Sequence, residues 1–374
     1  MKFVFWASAA VIAYAYVGYP LLLWVRSWWS PRPVMHSTNT PLVSAVMVVR
    51  NEEAVIAAKL ENLLTLDYPP EQLEVVVVSD GSSDGTASVL AGCAKHDSRL
   101  RIVTKPESCG KAAGLNDAIA TARGEVLLFT DARQPIEPRA LGLLIENFAD
   151  PAVGAASGEL MLGDPASGET GKGMGLYWRI EKKIRELESA SGSVAGATGA
   201  IYCARRELLD PLPEGTILDD VLLPMQVVRK GSRVIFDSRA RAWDSPDLGS
   251  SREFARKVRT LSGNYQLLQL APWLLGSSNG IRFEFISHKL LRLVVPFALL
   301  GLLISSIFLS GPLYRTALFA QLAFYALSLI AFAGMKIGPL SRIADPARTF
   351  VVLNSAAMVA FVNFVTGRKA VWVR

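Results

Sequence analysis

The sequence is poor in the residues that build disulfide frameworks and zinc sites. It contains only 3 cysteines and 3 histidines among 374 residues. The cysteines, Cys93, Cys109 and Cys203, show no C-x-x-C spacing, and the histidines are scattered along the chain. This distribution favours neither a disulfide scaffold nor a structural zinc site.

Charged side chains are missing from four long stretches. No Asp, Glu, Lys or Arg occurs in residues 3–25, 293–314, 316–335 or 349–367. These runs approach or exceed the roughly 20 residues that a helix needs to cross a bilayer. Hydrophobic residues make up 51% of the chain, more than an ordinary soluble enzyme of this size contains. We predict four membrane-spanning helices, with a buried core helix as the alternative for each run; Asn354 and Asn363 interrupt the fourth.

The first apolar run has a second alternative, a cleaved signal peptide. It is longer than the apolar core of a signal peptide, and Trp24, Trp28 and Trp29 stand where small residues should mark cleavage. We therefore predict a retained anchor over residues 1–30. A cytoplasmic catalytic domain is expected over 41–250, basic interfacial helices over 251–292, and further membrane helices over 293–374.

The charges that flank the membrane runs indicate an orientation. One side carries Arg282, Lys289, Arg292, Lys336, Arg342 and Arg348, whereas the opposite short loop carries Arg315. Loops rich in Lys and Arg stay on the cytoplasmic side of a membrane. We therefore predict an integral protein of the cell (inner) membrane with its large domain in the cytoplasm. The cationic tail after residue 367 argues against four complete spans, and a re-entrant last segment is the alternative. The net charge of +6 suits an anionic lipid surface, and the basic region lacks the interleaved aromatic residues of a nucleic-acid site.

Apolar runs alternate with helical patterns through the large domain. The expected strands are Leu42–Val49, Leu73–Ser79, Arg101–Thr104 and Val126–Thr130, and the expected helices are Glu52–Leu66, Thr86–Lys95 and Lys111–Ala122. This alternation predicts an α/β fold in which helices cover both faces of a parallel sheet. Such sheets bind ligands at the carboxyl ends of their strands, where Asp80 and Asp131 would lie.

Two common nucleotide motifs are missing. The first strand-to-helix turn, Val49-Arg-Asn-Glu-Glu53, contains no glycine, so a G-x-G-x-x-G dinucleotide site is excluded. Lys105 and Ala112 occupy key positions of a potential P-loop around Gly110-Lys111, which excludes that motif too. The strand ends instead offer Glu52, Asp80, Asp84 and Asp131. These acceptors suit a nucleobase, a ribose and a divalent ion on a diphosphate, which together indicate a nucleotide-sugar donor.

Six segments in order resemble the motifs of family 2 glycosyltransferases, inverting enzymes with the GT-A fold. They are Val48-Val-Arg-Asn-Glu-Glu53, Val78-Ser-Asp-Gly-Ser-Ser-Asp-Gly-Thr86, Gly110-Lys-Ala-Ala-Gly-Leu-Asn-Asp-Ala118, Gly124-Glu-Val-Leu-Leu-Phe-Thr-Asp-Ala132, Gly199-Ala-Ile-Tyr-Cys-Ala-Arg-Arg206 and Leu218-Asp-Asp220. The resemblance covers about residues 40–270. It is distantly shared with cellulose, chitin and hyaluronan synthases, and it implies a Rossmann-like, mostly parallel sheet flanked by helices.

The resemblance implies roles for the residues at the strand ends. Glu52 and Asp80 would bind the donor nucleoside, Asp84 would reach it or close the turn, and Lys111 would lie near the donor or on the surface. The family's D-x-D metal motif reads Asp131-Ala132-Arg133 here, without its second carboxylate. We still expect Mg²⁺ or Mn²⁺ at Asp131, with direct pairing of Arg133 to phosphate as the alternative.

The same resemblance implies the base and the diphosphate clamp. Asp220 would take the proton of the acceptor hydroxyl. Arg256 and Arg259 lie at helical spacing and could hold the donor diphosphate, or the helix could rest on lipid. The processive synthases carry Gln-x-x-Arg-Trp here, and only Arg259 matches that motif. Processive synthesis is therefore left open.

We therefore expect a membrane-anchored glycosyltransferase that moves a sugar, with a UDP-sugar as the first choice, to a cell-surface glycan. A GDP-sugar is the alternative donor. Two other functions stay open. One is a polyprenyl-phosphate glycosyltransferase that makes a lipid-linked sugar, and the other is a non-catalytic membrane scaffold that senses nucleotides.

Overall fold

A computed structural model describes residues 1–163, 176–244, 250–333 and 341–368. A seven-stranded sheet forms the centre of the large domain. Its strands are β1 (Val43–Val49), β2 (Leu73–Asp80), β3 (Leu100–Lys105), β4 (Val126–Phe129), β5 (Val153–Leu162), β6 (Tyr202–Arg205) and β7 (Arg233–Asp244). The helices of this domain are α3 (Glu53–Leu64), α4 (Thr86–Ala94), α5 (Lys111–Thr121), α6 (Ala140–Glu146), α7 (Leu176–Ser191), α8 (Asp219–Arg229) and α9 (Ser250–Leu270).

The strands are mostly parallel, as the alternation of strands and helices predicts. Their order in the sheet is β3-β2-β1-β4-β6-β5-β7, and β6 alone runs against its neighbours. Val43 of β1 pairs with Leu73 of β2 on one side and with Val126 of β4 on the other. The carboxyl ends of β2, β1 and β4 therefore lie side by side at one edge of the sheet.

Both faces of the sheet are buried, which explains why its strands read as continuous apolar runs. Alternate residues of β1 belong to two different cores. Met47 packs with α3, α4 and α6 on one face, whereas Val46 packs with α5 and α8 on the other. The α/β class and the GT-A-like, mostly parallel sheet expected from the sequence are thus confirmed.

Four helical stretches are long and apolar enough to cross a membrane, in agreement with the four charge-free runs. They are Lys2–Trp29, Arg282–Phe308, Pro312–Phe332 and Ile343–Val365. Their helices are α1 (Lys2–Ala13), α2 (Tyr19–Trp29), α10 (Arg282–Phe285), α11 (Leu291–Phe308), α12 (Pro312–Phe332) and α13 (Ser341–Val365). One π-helical turn, Tyr14–Gly18, joins α1 to α2, and another, Ile286–Leu290, joins α10 to α11. The two turns meet where the hydroxyls of Tyr14 and Ser287 are 2.9 Å apart.

A buried ionic cluster ties the large domain to these helices through α7. His288 lies between two glutamates of α7, with Nδ1 2.8 Å from Glu188 Oε1 and Nε2 3.0 Å from Glu181 Oε1. Tyr19 donates to Glu188 at 2.5 Å, and Arg292 donates to Glu181 at 2.6 Å. Buried charges are costly unless they are paired, so this cluster fixes how α7 sits against the membrane helices.

Candidate active site at the carboxyl ends of the strands

Acidic and basic side chains converge where β1, β2 and β4 end. Glu52 follows β1, Asp80 ends β2, and Asp131 follows β4. Lys111 begins α5 and Asp219 begins α8, the two helices that cover one face of the sheet. The sequence expectation that these residues share one crevice agrees with their contacts.

Asp80 is almost fully buried, at 3% exposure, and its carboxylate holds a neighbouring loop. It accepts hydrogen bonds from the Ser108 hydroxyl at 2.7 Å, the Cys109 amide at 2.8 Å and the Gly110 amide at 3.0 Å. This loop leads directly into α5 and therefore into Lys111. A carboxylate has about four acceptor positions, so these three bonds leave one for a ligand.

Gly81 allows the two loops to approach each other. It has a positive φ of 61°, and a Cβ atom there would lie 2.3 Å from the Ser108 amide nitrogen. Any other residue would therefore both strain the backbone and separate Asp80 from its loop.

Asp84 closes the turn before α4. Its carboxylate accepts from the Thr86 amide at 3.0 Å and from the Thr86 hydroxyl at 2.5 Å. The hydrogen bond from the Thr86 hydroxyl is the main reason that the pKa of Asp84 lies below its usual value. Thr86 also accepts the Glu52 amide at 2.9 Å, so this turn supports the residue that follows β1.

Glu52 and Arg133, both predicted to bind the donor, form an ion pair. Arg133 Nε lies 3.0 Å from Oε1 and 2.9 Å from Oε2 of Glu52. The Arg133 side chain is 57% exposed, whereas that of Glu52 is 18% exposed. Exposed ion pairs contribute little to stability, so Arg133 can leave Glu52 for a phosphate at small cost.

Lys111 is the cation at the centre of the site. Its ammonium lies 3.0 Å from Asp131 Oδ1 and 3.3 Å from Asp219 Oδ2. Burial alone would lower the pKa of Lys111, but the carboxylates of Asp131, Asp219 and Asp220 raise it above its usual value. Lys111 therefore remains charged over the whole physiological range.

Asp220 differs from its neighbours because its carboxylate is unpaired within the described residues. It is half-buried at the start of α8, and its Oδ2 lies so close to Gly199 that a Cβ atom there would be 3.3 Å away. Burial, together with the neighbouring negative charge of Asp219, raises the pKa of Asp220 to about 6, although Lys111 and Lys289 oppose the rise. A carboxylate that titrates near neutrality and has a free oxygen is suited to take a proton.

Arg185 holds the loop against which Asp220 packs, a role that the motifs do not reveal. Its guanidinium donates to the Thr198 hydroxyl at 2.7 Å and to the Ser157 hydroxyl at 3.2 Å. In turn, the Ala197 amide donates to the Asp220 carbonyl at 2.7 Å. Arg185 belongs to α7, so Asp220 lies near the helix that docks on the membrane helices.

Lys59 is a second functional candidate that motif reasoning missed. It is 3% exposed and donates to the Thr130 hydroxyl at 2.9 Å and the Gln134 carbonyl at 2.5 Å. These bonds brace both sides of Asp131. Burial lowers the pKa of Lys59 to about 7, against the opposing charge of Asp131. The sequence signal for this residue is its position: Lys59 lies on the same buried face of α3 as Ile56, Leu60 and Leu63.

The predicted diphosphate clamp on α9 lies at the edge of this site. Arg256 pairs with Asp244 at 3.4 Å, and the Asp244 carboxylate also accepts from Gln134 at 3.2 Å. Arg259 follows Arg256 by about one helical turn. The D-x-D remnant and α9 are therefore linked through the end of β7.

The carboxylate of Asp131 can serve as one ligand of a divalent ion. Its side chain is 41% exposed, and Oδ2 accepts no hydrogen bond from the part of the chain that the structure describes. No cluster of three or more His, Cys, Asp or Glu residues suitable for a metal occurs in that part. The residues fit an ion that is completed by diphosphate oxygens and water, which hard cations accept readily.

Comparison with known proteins agrees with this geometry. The family model described as glycosyl transferase family 2 matches residues 44–212, a range that contains the ends of β1, β2 and β4. Residues 44–212, slightly less than half of the chain, are therefore similar to this family's domain. The resemblance to family 2 glycosyltransferases is thus confirmed over the range that holds five of the six motif segments, whereas Leu218-Asp-Asp220 follows that range.

Two curated relatives are similar to parts of this chain. The beta-monoglucosyldiacylglycerol synthase of Trichormus variabilis is 29% identical over 194 residues, which is 50% of this chain and 42% of the relative. The poly-beta-1,6-N-acetyl-D-glucosamine synthase of Staphylococcus aureus is 24% identical over 249 residues, 65% of this chain and 60% of the relative. The chain spans about half the length of the curated relatives it matches.

One solved structure resembles nearly the whole chain. It is the mannosyltransferase PcManGT from Pyrobaculum calidifontis, in complex with GDP-Man and Mn²⁺. It is 24% identical, has a TM-score of 0.73, and the match covers 98% of this chain and 100% of that protein. The fold likeness therefore includes the apolar helices as well as the glycosyltransferase domain.

Proposed function

We propose that this glycosyltransferase moves a sugar, with inversion, from a nucleotide-sugar donor to a hydroxyl acceptor carried on a cell-surface glycan or membrane lipid. The observation that carries this proposal is Asp220. Its half-buried carboxylate has no partner among the described residues, its pKa is raised to about 6, and it adjoins Asp219, which pairs with Lys111. A base next to a phosphate-binding cation is what inverting transfer from a sugar diphosphate requires.

The donor diphosphate would lie over Lys111, with Arg133, Arg256 and Arg259 as further cations. Arg133 and Arg256 are held by carboxylates in the free protein, and a diphosphate would compete with Glu52 and Asp244 for them. These cations would stabilise the negative charge that develops on the leaving nucleoside diphosphate.

Asp220 would act on the other side of the sugar. Its carboxylate takes the acceptor proton as the acceptor oxygen attacks the anomeric carbon, and the bond from that carbon to the diphosphate breaks with its electron pair. The nucleoside diphosphate leaves from the opposite face, which inverts the configuration. Solvent then removes the proton from Asp220.

A divalent ion, Mn²⁺ or Mg²⁺, would be held by Asp131 together with the diphosphate. When bound, it would neutralise part of the charge of the leaving group. The solved mannosyltransferase of the same fold contains Mn²⁺ with its nucleotide sugar, which supports a divalent ion in this proposal.

The proposed base, Asp220, also helps to choose between this function and a polyprenyl-phosphate glycosyltransferase. A polyprenyl phosphate attacks through an oxygen that is already ionised, whereas a hydroxyl must lose a proton during attack. An available carboxylate at Asp220 therefore favours a hydroxyl acceptor over a lipid phosphate. The presence of Asp80, Asp131 and Asp220 together at one site disfavours the non-catalytic scaffold.

We place the domain on the cytoplasmic side of the cell (inner) membrane, on the strength of the cationic residues that flank the apolar helices. Arg185 and Lys289 border Asp220 on the side of the membrane helices. An acceptor would therefore reach the base from the bilayer surface.

The proposed activity predicts consumption of one nucleotide sugar by the purified chain in lipid vesicles. A screen of mass-tagged UDP- and GDP-sugars with added membrane extract should show loss of one donor, and a product heavier by one sugar or by a series. Asp220→Asn is the matched control and should consume little donor. A product that carries its sugar on polyprenyl phosphate would establish the alternative instead. If no donor is consumed, the non-catalytic membrane scaffold would be the remaining function.

A second prediction concerns Asp80 and the nucleobase. If its remaining acceptor position takes the ring N–H of uracil, Asp80→Ala should weaken UDP binding by roughly 5- to 150-fold, the equivalent of about 1 to 3 kcal/mol. Calorimetric titration of UDP, GDP and CMP would measure this loss and compare the bases. An Asp80→Ala protein that binds UDP as tightly as wild type would refute a role in the donor site.

Ser108→Ala is the control that separates base recognition from loop bracing. It removes one of the three bonds that Asp80 makes to its loop but leaves the carboxylate in place. Direct recognition requires UDP affinity near that of wild type in Ser108→Ala. A large loss in both variants would mean that Asp80 acts by holding the loop before Lys111.

A further inference from the structure

A side-chain amide of α9 clamps the loop that leads into Asp219 and Asp220. Gln266 Oε1 accepts from the Ile217 amide at 2.9 Å, and Gln266 Nε2 donates to the Gly215 carbonyl at 2.8 Å. Gln266 therefore satisfies one donor and one acceptor of a loop that is distant in sequence. Backbone groups in such loops need partners, and here a single side chain supplies two.

The clamped loop sets where α8 begins. The Leu218 carbonyl accepts from the Val221 amide at 3.3 Å and from the Leu222 amide at 3.0 Å, which starts the helix. Ile217 and Leu218 thus lie immediately before the first turn that carries Asp219 and Asp220. A shift of the Ile217 amide would move this turn as a unit.

Close packing of α9 reinforces the clamp. A Cβ atom at Gly263 would lie 2.5 Å from Leu218 Cγ and 3.1 Å from Ile217 Cγ2. Gly263 is about one helical turn before Gln266, so the same part of α9 both contacts and hydrogen-bonds the loop. Only a residue without a side chain lets α9 approach this closely.

The same helix also contacts the donor side and the membrane side. Arg256, near its start, pairs with Asp244, which Gln134 links to the segment after Asp131. Tyr265, next to Gln266, stacks on Phe364 of α13 with ring centroids 5.1 Å apart and an interplanar angle of 20°. The single helix α9 therefore carries Arg256, holds the loop before Asp220, and packs against a membrane helix.

We propose that Gln266 is a positioning residue for Asp220, acting through the 215–218 loop, and that α9 fixes the distance between the donor diphosphate and the base. This inference rests on the proposed function of Asp220. It deepens that function by naming the contact that holds the base where the acceptor hydroxyl must meet it. Misplacement of a reacting group by about 1 Å can cost on the order of 100-fold in rate.

Kinetics of three variants of the full chain in lipid test the proposal. Gln266→Ala removes both bonds, Gln266→Glu keeps the acceptor for Ile217 and loses the donor to Gly215, and Gln269→Ala removes an exposed amide from the same helix. We expect kcat to fall by about 10- to 100-fold in Gln266→Ala and by less in Gln266→Glu. The KM for the donor should stay within about twofold, and Gln269→Ala should match wild type.

Two further readouts separate positioning from general damage. The acid limb of the kcat profile should move in Gln266→Ala, because the surroundings of Asp220 change with the loop. Hydrogen exchange of residues 213–220 should quicken in Gln266→Ala and not in Gln269→Ala, which tests the clamp without turnover.

The possible results have distinct meanings. If wild type shows no turnover, the proposed function fails, whereas hydrogen exchange still decides whether Gln266 orders the loop. Turnover, acid limb and exchange in Gln266→Ala equal to those of Gln269→Ala would overturn the inference. A parallel loss of kcat, UDP affinity and thermal stability would also overturn it, because Gln266 would then serve the whole fold and not the base.

Discussion

Asp220→Asn is expected to lower turnover by roughly 100-fold or more while UDP affinity stays near that of wild type. The asparagine side chain has the same shape but cannot take a proton, and the donor cations Lys111, Arg133 and Arg256 are left in place. Single-turnover kinetics and UDP titration of the same preparation measure the two quantities. Turnover near that of wild type would remove Asp220 from the mechanism.

The pH dependence of wild type provides a second test of this base. Because the pKa of Asp220 is raised to about 6, its carboxylate is ionised above that value, and activity should be lost as the pH falls through it. In Asp219→Asn the neighbouring negative charge is gone, so the pKa of Asp220 should decrease and the acid limb should move to lower pH. Asp219 also pairs with Lys111, so a moderate loss of donor affinity is expected in this variant, smaller than the rate loss in Asp220→Asn.

Most of the fold could be predicted from the sequence because the signals that specify the strands of the sheet are local. Val75–Val78 and its counterparts in β1 and β4 read as buried strands, and the helices between them show the expected apolar periodicity. Charge-free runs likewise matched the apolar helices. The antiparallel insertion of β6 between β4 and β5 was not foreseen, since pairing order depends on contacts between distant segments.

For a related reason, only some of the contacts in the candidate site could be predicted from the sequence. The contact of Lys111 with Asp131, and of Glu52 with Arg133, follows from strand ends that meet at one edge of a parallel sheet. Arg185 and Gln266 gave no such signal. Each side chain bonds a loop that is distant in the sequence. Nothing in the residues around Arg185 or Gln266 shows which loop will lie against its helix.

The altered metal motif provides the other large expected effect. We expect Asp131→Ala to abolish turnover, and EDTA to suppress wild-type turnover until Mn²⁺ or Mg²⁺ is restored. Asp131 would supply a carboxylate oxygen for the ion and is also the partner that holds Lys111 at 3.0 Å, so its removal should disturb both the ion and Lys111. Arg133→Ala is the matched control from the same motif. Arg133 is exposed and contacts Glu52, so its loss should weaken donor binding without changing the response to EDTA.

The combination of EDTA and Arg133→Ala decides which cation neutralises the leaving diphosphate. A divalent ion at Asp131 predicts that wild type and Arg133→Ala both lose turnover in EDTA and both regain it with Mn²⁺. Full wild-type activity in EDTA, together with loss of activity in Arg133→Ala, would show that the arginine has replaced the ion. That exchange is chemically reasonable, because a guanidinium pairs with phosphate oxygens in a fixed geometry and keeps its charge at every physiological pH. The free oxygen of Asp131 argues for the ion, since a carboxylate that served only to hold Lys111 would not need to remain 41% exposed at the end of a buried strand.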